Sequence, residues 1–136
     1  MVDLLYVEDN PNDVAVFNRA ISKLDVGVRY VVVETGKTAI DYLTDPQTKD
    51  SARLVLLDLN LPDLSGLQVL EELRTVARLR RLPIVIYSTS DEPREVQRAY
   101  ELGANAYIRK PSNYKGVGSV LSRLCGFWLM DDLLVH

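Results

Sequence analysis

The sequence contains one cysteine, Cys125, and one histidine, His136, among its 136 residues. A single cysteine excludes a disulfide bond within the chain and a cysteine-based zinc site. Catalysis by a reactive thiol is also disfavoured, because Cys125 lies in an apolar run where a buried structural thiol is expected. So little cysteine is typical of a reducing compartment, and we expect a cytoplasmic protein.

The chain also lacks a basic start followed by an apolar segment, and it has no apolar run of bilayer-spanning length. We therefore expect no membrane partner. The formal net charge is −3, so nucleic-acid binding would need a local basic patch. The candidate patch consists of Arg74, Arg78, Arg80 and Arg81. A solvated helix end explains these arginines more simply, and we expect no nucleic-acid partner.

Short apolar runs alternate with longer mixed segments along the chain. The runs are continuous, which indicates strands buried on both faces, as in a parallel sheet covered by helices. We predict strands at 3–7, 28–33, 54–57, 84–87 and 106–108. The segments between them carry apolar residues at spacings of three and four, as amphipathic helices do. Five strands in strict alternation with five helices predict a doubly wound α/β domain.

Polar residues mark the expected helix starts. Asn10 or Asn12 is predicted to cap the first helix, and Ser90 or Asp91 the fourth. The last helix is predicted to begin near Asn113 and to carry its apolar residues as far as the region of Cys125.

The residues at the carboxyl ends of the predicted strands indicate a ligand site, because open α/β sheets bind ligands at that edge. These residues are Glu8, Asp9, Asp58, Ser88 and Lys110. Carboxylates held close together repel one another unless a cation lies among them, and oxygen ligands favour Mg²⁺. Asn60 follows Asp58 by two residues, so its backbone carbonyl is a further candidate ligand.

Four segments carry a family resemblance. Residues 8–10 read Glu-Asp-Asn, 57–66 read Leu-Asp-Leu-Asn-Leu-Pro-Asp-Leu-Ser-Gly, 88–90 read Ser-Thr-Ser and 107–111 read Tyr-Ile-Arg-Lys-Pro. In this order and spacing they resemble the response-regulator receiver (CheY-like) family, to about Leu124. The resemblance implies a flavodoxin-like sheet of order 2-1-3-4-5, with residues 1–125 as one receiver domain.

The resemblance also implies a function. The chain would be a single-domain response regulator of a two-component system, phosphorylated by a sensor histidine kinase in a Mg²⁺-dependent reaction. It would signal through protein contacts or phosphorelay, and it would catalyse only its own phosphorylation and dephosphorylation.

The resemblance implies a role for each site residue. Asp58 would be the phosphoacceptor. Asp58, Asp9 and the Asn60 carbonyl would hold Mg²⁺, with Glu8 acting mainly through water. Lys110 would pair with a phosphoryl oxygen, and its bond to Pro111 would be cis.

Three further roles concern switching. Ser88 would hydrogen-bond the phosphoryl group, and Tyr107 would turn inward on phosphorylation. Asn60 and Ser90 would flank the path of attacking water and so tune dephosphorylation.

Simpler explanations compete with these roles. An acidic pair after a strand is commonly just a helix N-terminus, and Tyr107 could be a static half-buried ring. A magnesium-dependent phosphatase would typically need an aspartate where this chain has Asn60. The remaining alternative is a pseudo-receiver, an interaction module that never accepts phosphate. The intact acidic residues, Ser88 and Lys110 argue against it.

Residues 126–136, the C-terminal extension, lie past the usual end of the fold and include seven large apolar residues. A small monomer rarely exposes such a surface. We therefore predict a homodimer or partner interface, although the extension could instead fold back onto its own domain. The predicted interface residues are Phe127, Trp128, Leu129 and Met130. Three segments resemble those of stand-alone receivers that partner bacterial phytochromes: Asn-Pro-Asn-Asp at residues 10–13, Ser-Thr-Ser at 88–90 and Phe-Trp-Leu at 127–129. In those receivers the extension helps to form homodimers.

Overall fold

The computed structural model describes residues 2–48 and 52–129. Its strands are β1 (Val2–Val7), β2 (Tyr30–Val33), β3 (Ala52–Leu57), β4 (Ile84–Ser88) and β5 (Ala106–Arg109). All pair in parallel, in the order β2-β1-β3-β4-β5. The helices that follow them are α1 (Pro11–Ile21), α2 (Gly36–Thr44), α3 (Gly66–Thr75), α4 (Pro93–Glu101) and α5 (Tyr114–Leu124). The predicted doubly wound, flavodoxin-like fold is confirmed.

Helices cover both faces of the sheet. Alternate strand residues point to opposite faces, so Leu5 and Leu57 pack on the side of α2 and α3. Leu56 packs on the other side, with Phe17 of α1 and Leu121 of α5. The continuous apolar runs of the strands therefore reflect burial of the sheet on both sides.

Side-chain caps fix the starts of the helices that flank the carboxyl edge of the sheet. The Asn10 side chain accepts hydrogen bonds from the backbone of Asn12, at 2.9 Å, and Asp13, at 3.2 Å, and so caps α1. Asn113 caps α5 in the same way, through the Gly116 amide at 2.7 Å. Both starts lie where the sequence predicted them.

The predicted cap of α4 is wrong. Glu92 occupies the N-cap position and makes no side-chain cap bond. The two predicted residues are engaged elsewhere: the Ser90 hydroxyl contacts Glu95, and the Asp91 carboxylate pairs with Arg109 at 3.1 Å.

Two backbone predictions also need correction. β2 begins at Tyr30 and not at Val28, because the Arg29 amide donates to the Asp3 carboxylate at 2.9 Å. The Lys110–Pro111 bond is trans, as are the other peptide bonds of the described ranges. The trans isomer is the intrinsically preferred one, by about 0.5–1 kcal/mol for a bond that precedes proline.

Two arginines of the basic cluster hold loops together. The Arg74 guanidinium donates to the backbone carbonyls of Leu79 at 2.6 Å, Leu82 at 2.8 Å and Gly103 at 2.9 Å. Arg78 donates to the carbonyl at the end of α2, at 2.8 Å. These charge-assisted bonds connect α3 to the loops that precede β4 and β5, and they connect the α3–β4 loop to the end of α2. At least half of this cluster therefore serves the fold.

The first part of the C-terminal extension folds back onto the domain. A π-helical turn, Cys125–Leu129, continues α5, and Leu129 is buried in the core of its own chain. The Arg53 guanidinium donates to the Leu129 carbonyl at 3.0 Å. Leu129 is therefore a core residue of its own domain in this structure and not the exposed interface residue that was predicted.

The aromatic residues of the extension are less buried than Leu129. Trp128 packs partly against the same core, whereas Phe127 is 64% exposed and lies edge-on to Trp128 with ring centroids 4.8 Å apart. Met130, the fourth predicted interface residue, lies outside the described residues. Within the described ranges, no helix combines the length and apolar character that a membrane span requires.

Candidate functional site

Backbone hydrogen bonds between strands fix the residues at the carboxyl edge of the sheet. The Asp58 amide donates to the Val7 carbonyl at 3.2 Å, which places the end of β3 beside the end of β1. The Lys110 amide donates to the Ser88 carbonyl at 2.8 Å and places the end of β5 beside the end of β4. The predicted convergence of strand-end residues therefore follows from parallel pairing.

Three carboxylates meet at this edge. Oxygens of Glu8, Asp9 and Asp58 lie within 4.8 Å of one another. Glu8 and Asp58 are buried and Asp9 is exposed. One oxygen of Glu8 accepts the backbone amides of Asp9 at 3.1 Å and Asn10 at 3.2 Å. The Asp58 Oδ1 atom is buried and makes no hydrogen bond to any described residue.

Lys110 supplies the positive charge of the site. Its ammonium contacts Glu8 Oε1, lies 2.9 Å from Asp13 Oδ2, and lies 3.6 Å from Asp58 Oδ2. Burial alone would lower the pKa of this ammonium, but its hydrogen bonds to Glu8 and Asp13 and the charge of Asp58 raise the pKa above its usual value. Lys110 is therefore a fixed cation among three acids.

Burial also dominates the behaviour of Asp58. Desolvation raises the pKa of this carboxyl to about 7, although Lys110 acts in the opposite direction. The negative charge of Glu8 raises it further. An anion at this position thus needs more positive charge than Lys110 alone provides.

The residues present fit a divalent cation. The carboxylates open into a cleft of about 360 Å³, which is also lined by Asn60, Thr89 and Lys110. An orphaned, buried carboxylate oxygen beside two further carboxylates is a donor set that hard cations bind. Asp9 and Asp58 are the residues that would hold such an ion directly.

The loop after β3 holds Asp58 and Asn60 in place. Asn60 pairs with Ser65 in an isolated antiparallel bridge, and the Gly66 amide donates to the Leu59 carbonyl at 2.9 Å. Asp63, within the same loop, accepts the first two backbone amides of α2 at 2.8 and 2.9 Å. Helix starts on both sides of the loop therefore fix its conformation.

The predicted switch residues form a second group behind the cleft. The Tyr107 hydroxyl donates to the Ser90 carbonyl at 2.8 Å. The Ser88 hydroxyl is fully buried and accepts the Ser90 amide at 3.3 Å. The Ser90 hydroxyl contacts Glu95 of α4. Tyr107 thus connects β5 to the β4–α4 loop. Thr89 lines the cleft, whereas Ser88 and Ser90 do not.

The sequence analysis missed two residues of this site. The Asp13 carboxylate lies beside Lys110, and the Tyr6 hydroxyl donates to Glu8 Oε1 at 3.3 Å. Asp13 looks like an ordinary acid in the first turn of a helix, and Tyr6 like a core residue of a strand. One signal could have indicated a role for Asp13. It lies within the Asn-Pro-Asn-Asp segment that contributed to the family resemblance.

The fold and this site define a class of protein. Residues 4–119 match the family model of the response regulator receiver domain. The chain therefore belongs to the receiver domain family, as its motifs indicated.

Relatives of known identity lie within the same family. Over 128 residues the chain is 33% identical to a probable methanogenesis regulatory protein, FilR2, of Methanothrix harundinacea, covering 93% of this chain and 83% of that protein. Over 129 residues it is 31% identical to response regulator Rcp1 of Synechocystis, covering 93% and 88%. These matches span most of both proteins.

Solved structures agree. The phosphorylated cyanobacterial phytochrome response regulator RcpA superposes with a TM-score of 0.85, at 33% identity over 94% of each chain. The Mn²⁺-bound form of Rcp1 superposes with a TM-score of 0.81, at 29% identity over 95% of each chain. The predicted resemblance to receivers associated with phytochromes is confirmed.

Proposed function

We propose that this protein is a single-domain response regulator that accepts a phosphoryl group on Asp58 from a sensor histidine kinase, with Mg²⁺ as cofactor. The observation that carries the proposal is the buried, unpartnered Asp58 Oδ1 beside Glu8, Asp9 and Lys110. Membership of the receiver family supports it. We further propose that the protein acts in the cytoplasm.

The chemistry is a phosphoryl transfer between two side chains. An Asp58 oxygen attacks the phosphorus of a phosphohistidine, the phosphorus–nitrogen bond breaks, and the histidine of the kinase leaves as its imidazole. Bound Mg²⁺, held by Asp9, Asp58 and the Asn60 carbonyl, would neutralise charge on the transferred oxygens. Lys110 offers a second cation 3.6 Å from Asp58 Oδ2.

The remaining site residues take the roles that the family suggests. Ser88 would hydrogen-bond the phosphoryl group after leaving the Ser90 amide, and Tyr107 would couple that change to β5 and α4. Glu8 would act on the metal through water, since its oxygens already contact Lys110 and two backbone amides. Asn60 and Ser90 would set the rate of dephosphorylation.

Asp58→Asn is expected to abolish phosphorylation and to leave the fold intact, because asparagine has the shape of aspartate without its nucleophilic oxygen. The measurement is intact mass after incubation with phosphoramidate and Mg²⁺, with and without a chelator. Wild type should gain one phosphoryl group that is magnesium-dependent and labile to hydroxylamine. Asp25→Asn, at an exposed aspartate away from the site, is the matched control and should label like wild type.

Two results would contradict the proposal. Labelling of Asp58→Asn would place the phosphoacceptor elsewhere. A wild-type protein that takes no phosphate under any condition would instead be a pseudo-receiver.

The relatives support a proposal for the partner and the output. We propose a histidine kinase of the phytochrome class as the phosphodonor, because phytochrome response regulators are among the structures most similar to this chain. Without a nucleic-acid partner, the output would be a protein contact or a phosphorelay step.

We also propose a homodimer that uses the exposed Phe127 and the partly buried Trp128 of the extension. Phe127 borders an apolar groove between β5 and α5 that is lined by Ile108, Val120, Leu124 and Trp128. Phe127→Ser is expected to shift a dimer to monomer in sedimentation experiments, since it removes an exposed aromatic contact. Val26→Ser, at an exposed apolar residue outside the extension, should leave the mass unchanged. An unaltered dimer with Phe127→Ser would exclude this interface.

A further inference from the structure

Asp13 lies outside every role assigned so far, yet it makes a close contact at the centre of the site. It is the third residue of α1, and its backbone amide is held by the Asn10 cap at 3.2 Å. Its carboxylate does not take part in capping and reaches across to the Lys110 ammonium, at 2.9 Å. The first turn of α1 therefore places a fourth carboxylate, that of Asp13, at the carboxyl edge of the sheet.

The Asp13–Lys110 pair separates two cavities. Both residues line the cleft that holds the three carboxylates. Both also line a smaller polar cavity of about 140 Å³ between α1 and α5, with Tyr6 and Tyr87. The Lys110 side chain is 7% exposed, whereas that of Asp13 is 37% exposed. Asp13 is thus the solvent-side partner of a buried cation.

The geometry of Lys110 favours Asp13 over Asp58. The ammonium has three protons, and it lies within hydrogen-bonding distance of Glu8 and Asp13. Its distance to Asp58 Oδ2 is 3.6 Å, which is too long for a hydrogen bond. Asp13 and Glu8 together therefore hold Lys110 back from the phosphoacceptor.

We propose that Asp13 is a positioning residue that competes with the phosphorylated Asp58 for Lys110. The inference rests on the proposed function. A phosphoryl group adds roughly 1.5 to 2 negative charges at Asp58, and pairing with it would draw Lys110 toward Asp58 and away from Asp13. The free energy needed to break the Asp13–Lys110 pair opposes phosphorylation. It therefore helps to set the stability of the phosphorylated state relative to the unphosphorylated state.

The test measures affinity for beryllofluoride, a stable mimic of a phosphoryl group on a carboxylate, by isothermal titration at saturating Mg²⁺. Asp13→Asn should bind it about two- to fivefold more tightly than wild type, the range of a partly exposed ion pair. Asp13→Glu retains a carboxylate within reach of Lys110 and should bind like wild type. Thermal unfolding of each variant checks that it is folded.

Two controls separate positioning from a general charge effect. Asp41→Asn removes a carboxylate that pairs with Lys37 at the same 2.9 Å, but on the surface of α2, and should leave the affinity unchanged. In a Lys110→Met background, Asp13→Asn should no longer change the affinity, because the residue through which Asp13 acts is gone.

The outcomes distinguish the inference from the proposal on which it rests. The role of Asp13 would be overturned if Asp13→Asn bound beryllofluoride no more tightly than wild type. It would also be overturned if the gain in affinity persisted in the Lys110→Met background. In either case, binding by wild type would still support Asp58 as the phosphoacceptor. A wild-type protein that binds no beryllofluoride would overturn both.

Discussion

Lys110→Met is expected to destabilise the metal-free protein by about 3–5 kcal/mol, the usual cost of removing one partner of a buried ion pair. Methionine preserves the length of the side chain but leaves the carboxylates of Glu8 and Asp58 buried without the cation that contacts both of them. Adding Mg²⁺ should restore part of the lost stability, because the metal supplies positive charge to the same carboxylates.

Urea unfolding in a chelator, and again with Mg²⁺, measures both effects. Lys37→Met is the matched control, since Lys37 also pairs with an aspartate at 2.9 Å but is 77% exposed. Its loss should stay within about 0.5 kcal/mol and should not depend on Mg²⁺. Equal losses for the two variants would show that Lys110 is not a structural cation of the site.

Gly66→Ala is expected to lower the free energy of unfolding by about 1–3 kcal/mol, as overpacking does, and to slow phosphorylation. A Cβ atom on Gly66 would lie 2.3 Å from the Asp58 carbonyl oxygen and 2.8 Å from the Leu59 Cα. These are backbone atoms, so no side-chain rotation relieves the contact. The loop that carries Asp58 must shift instead.

Gly118→Ala is the matched control for Gly66→Ala. Gly118 lies inside α5, and its Cβ would meet nothing within 4 Å. Alanine there should raise the stability by about 0.5–1 kcal/mol, because glycine is the poorer helix former, and should leave phosphorylation unchanged. Chemical unfolding and the rate of phosphoramidate labelling test both variants. Similar effects of the two substitutions would mean that the close approach at Gly66 is unimportant.

The strands and the central site were predictable because each depends on short-range signals, whereas the strand order came from the family resemblance. Continuous apolar runs locate buried strands, and parallel pairing then brings Asp58, Glu8 and Lys110 to one edge. The start of α1 was predicted with Asn10 as one of two candidate caps, and the start of α5 was predicted near Asn113, in both cases from residue type and position alone.

The misses depend on tertiary contacts that have no local pattern. Arg74 appeared to be a solvated side chain, yet it donates to three backbone carbonyls. Asp13 has the residue type expected in any first helical turn, so its contact with Lys110 could not be inferred. Leu129 was assigned to an interface because its apolar neighbours are many, whereas in the structure its side chain packs in the core and its carbonyl accepts a hydrogen bond from Arg53, 76 residues away in sequence.

The contact between Arg53 and Leu129 places the described part of the extension, residues 126–129, at the opposite end of β3 from the phosphoacceptor. Arg53 is the second residue of β3 and Asp58 follows the last, a separation of about 17 Å at the usual rise of a strand. At an effective dielectric constant of about 20, two unit charges that far apart interact by only about 1 kcal/mol. A new charge at Asp58 would therefore reach the extension weakly through the electric field. In the proposed homodimer, coupling between Asp58 and the extension would therefore depend on displacement of packed elements such as β5 and α5.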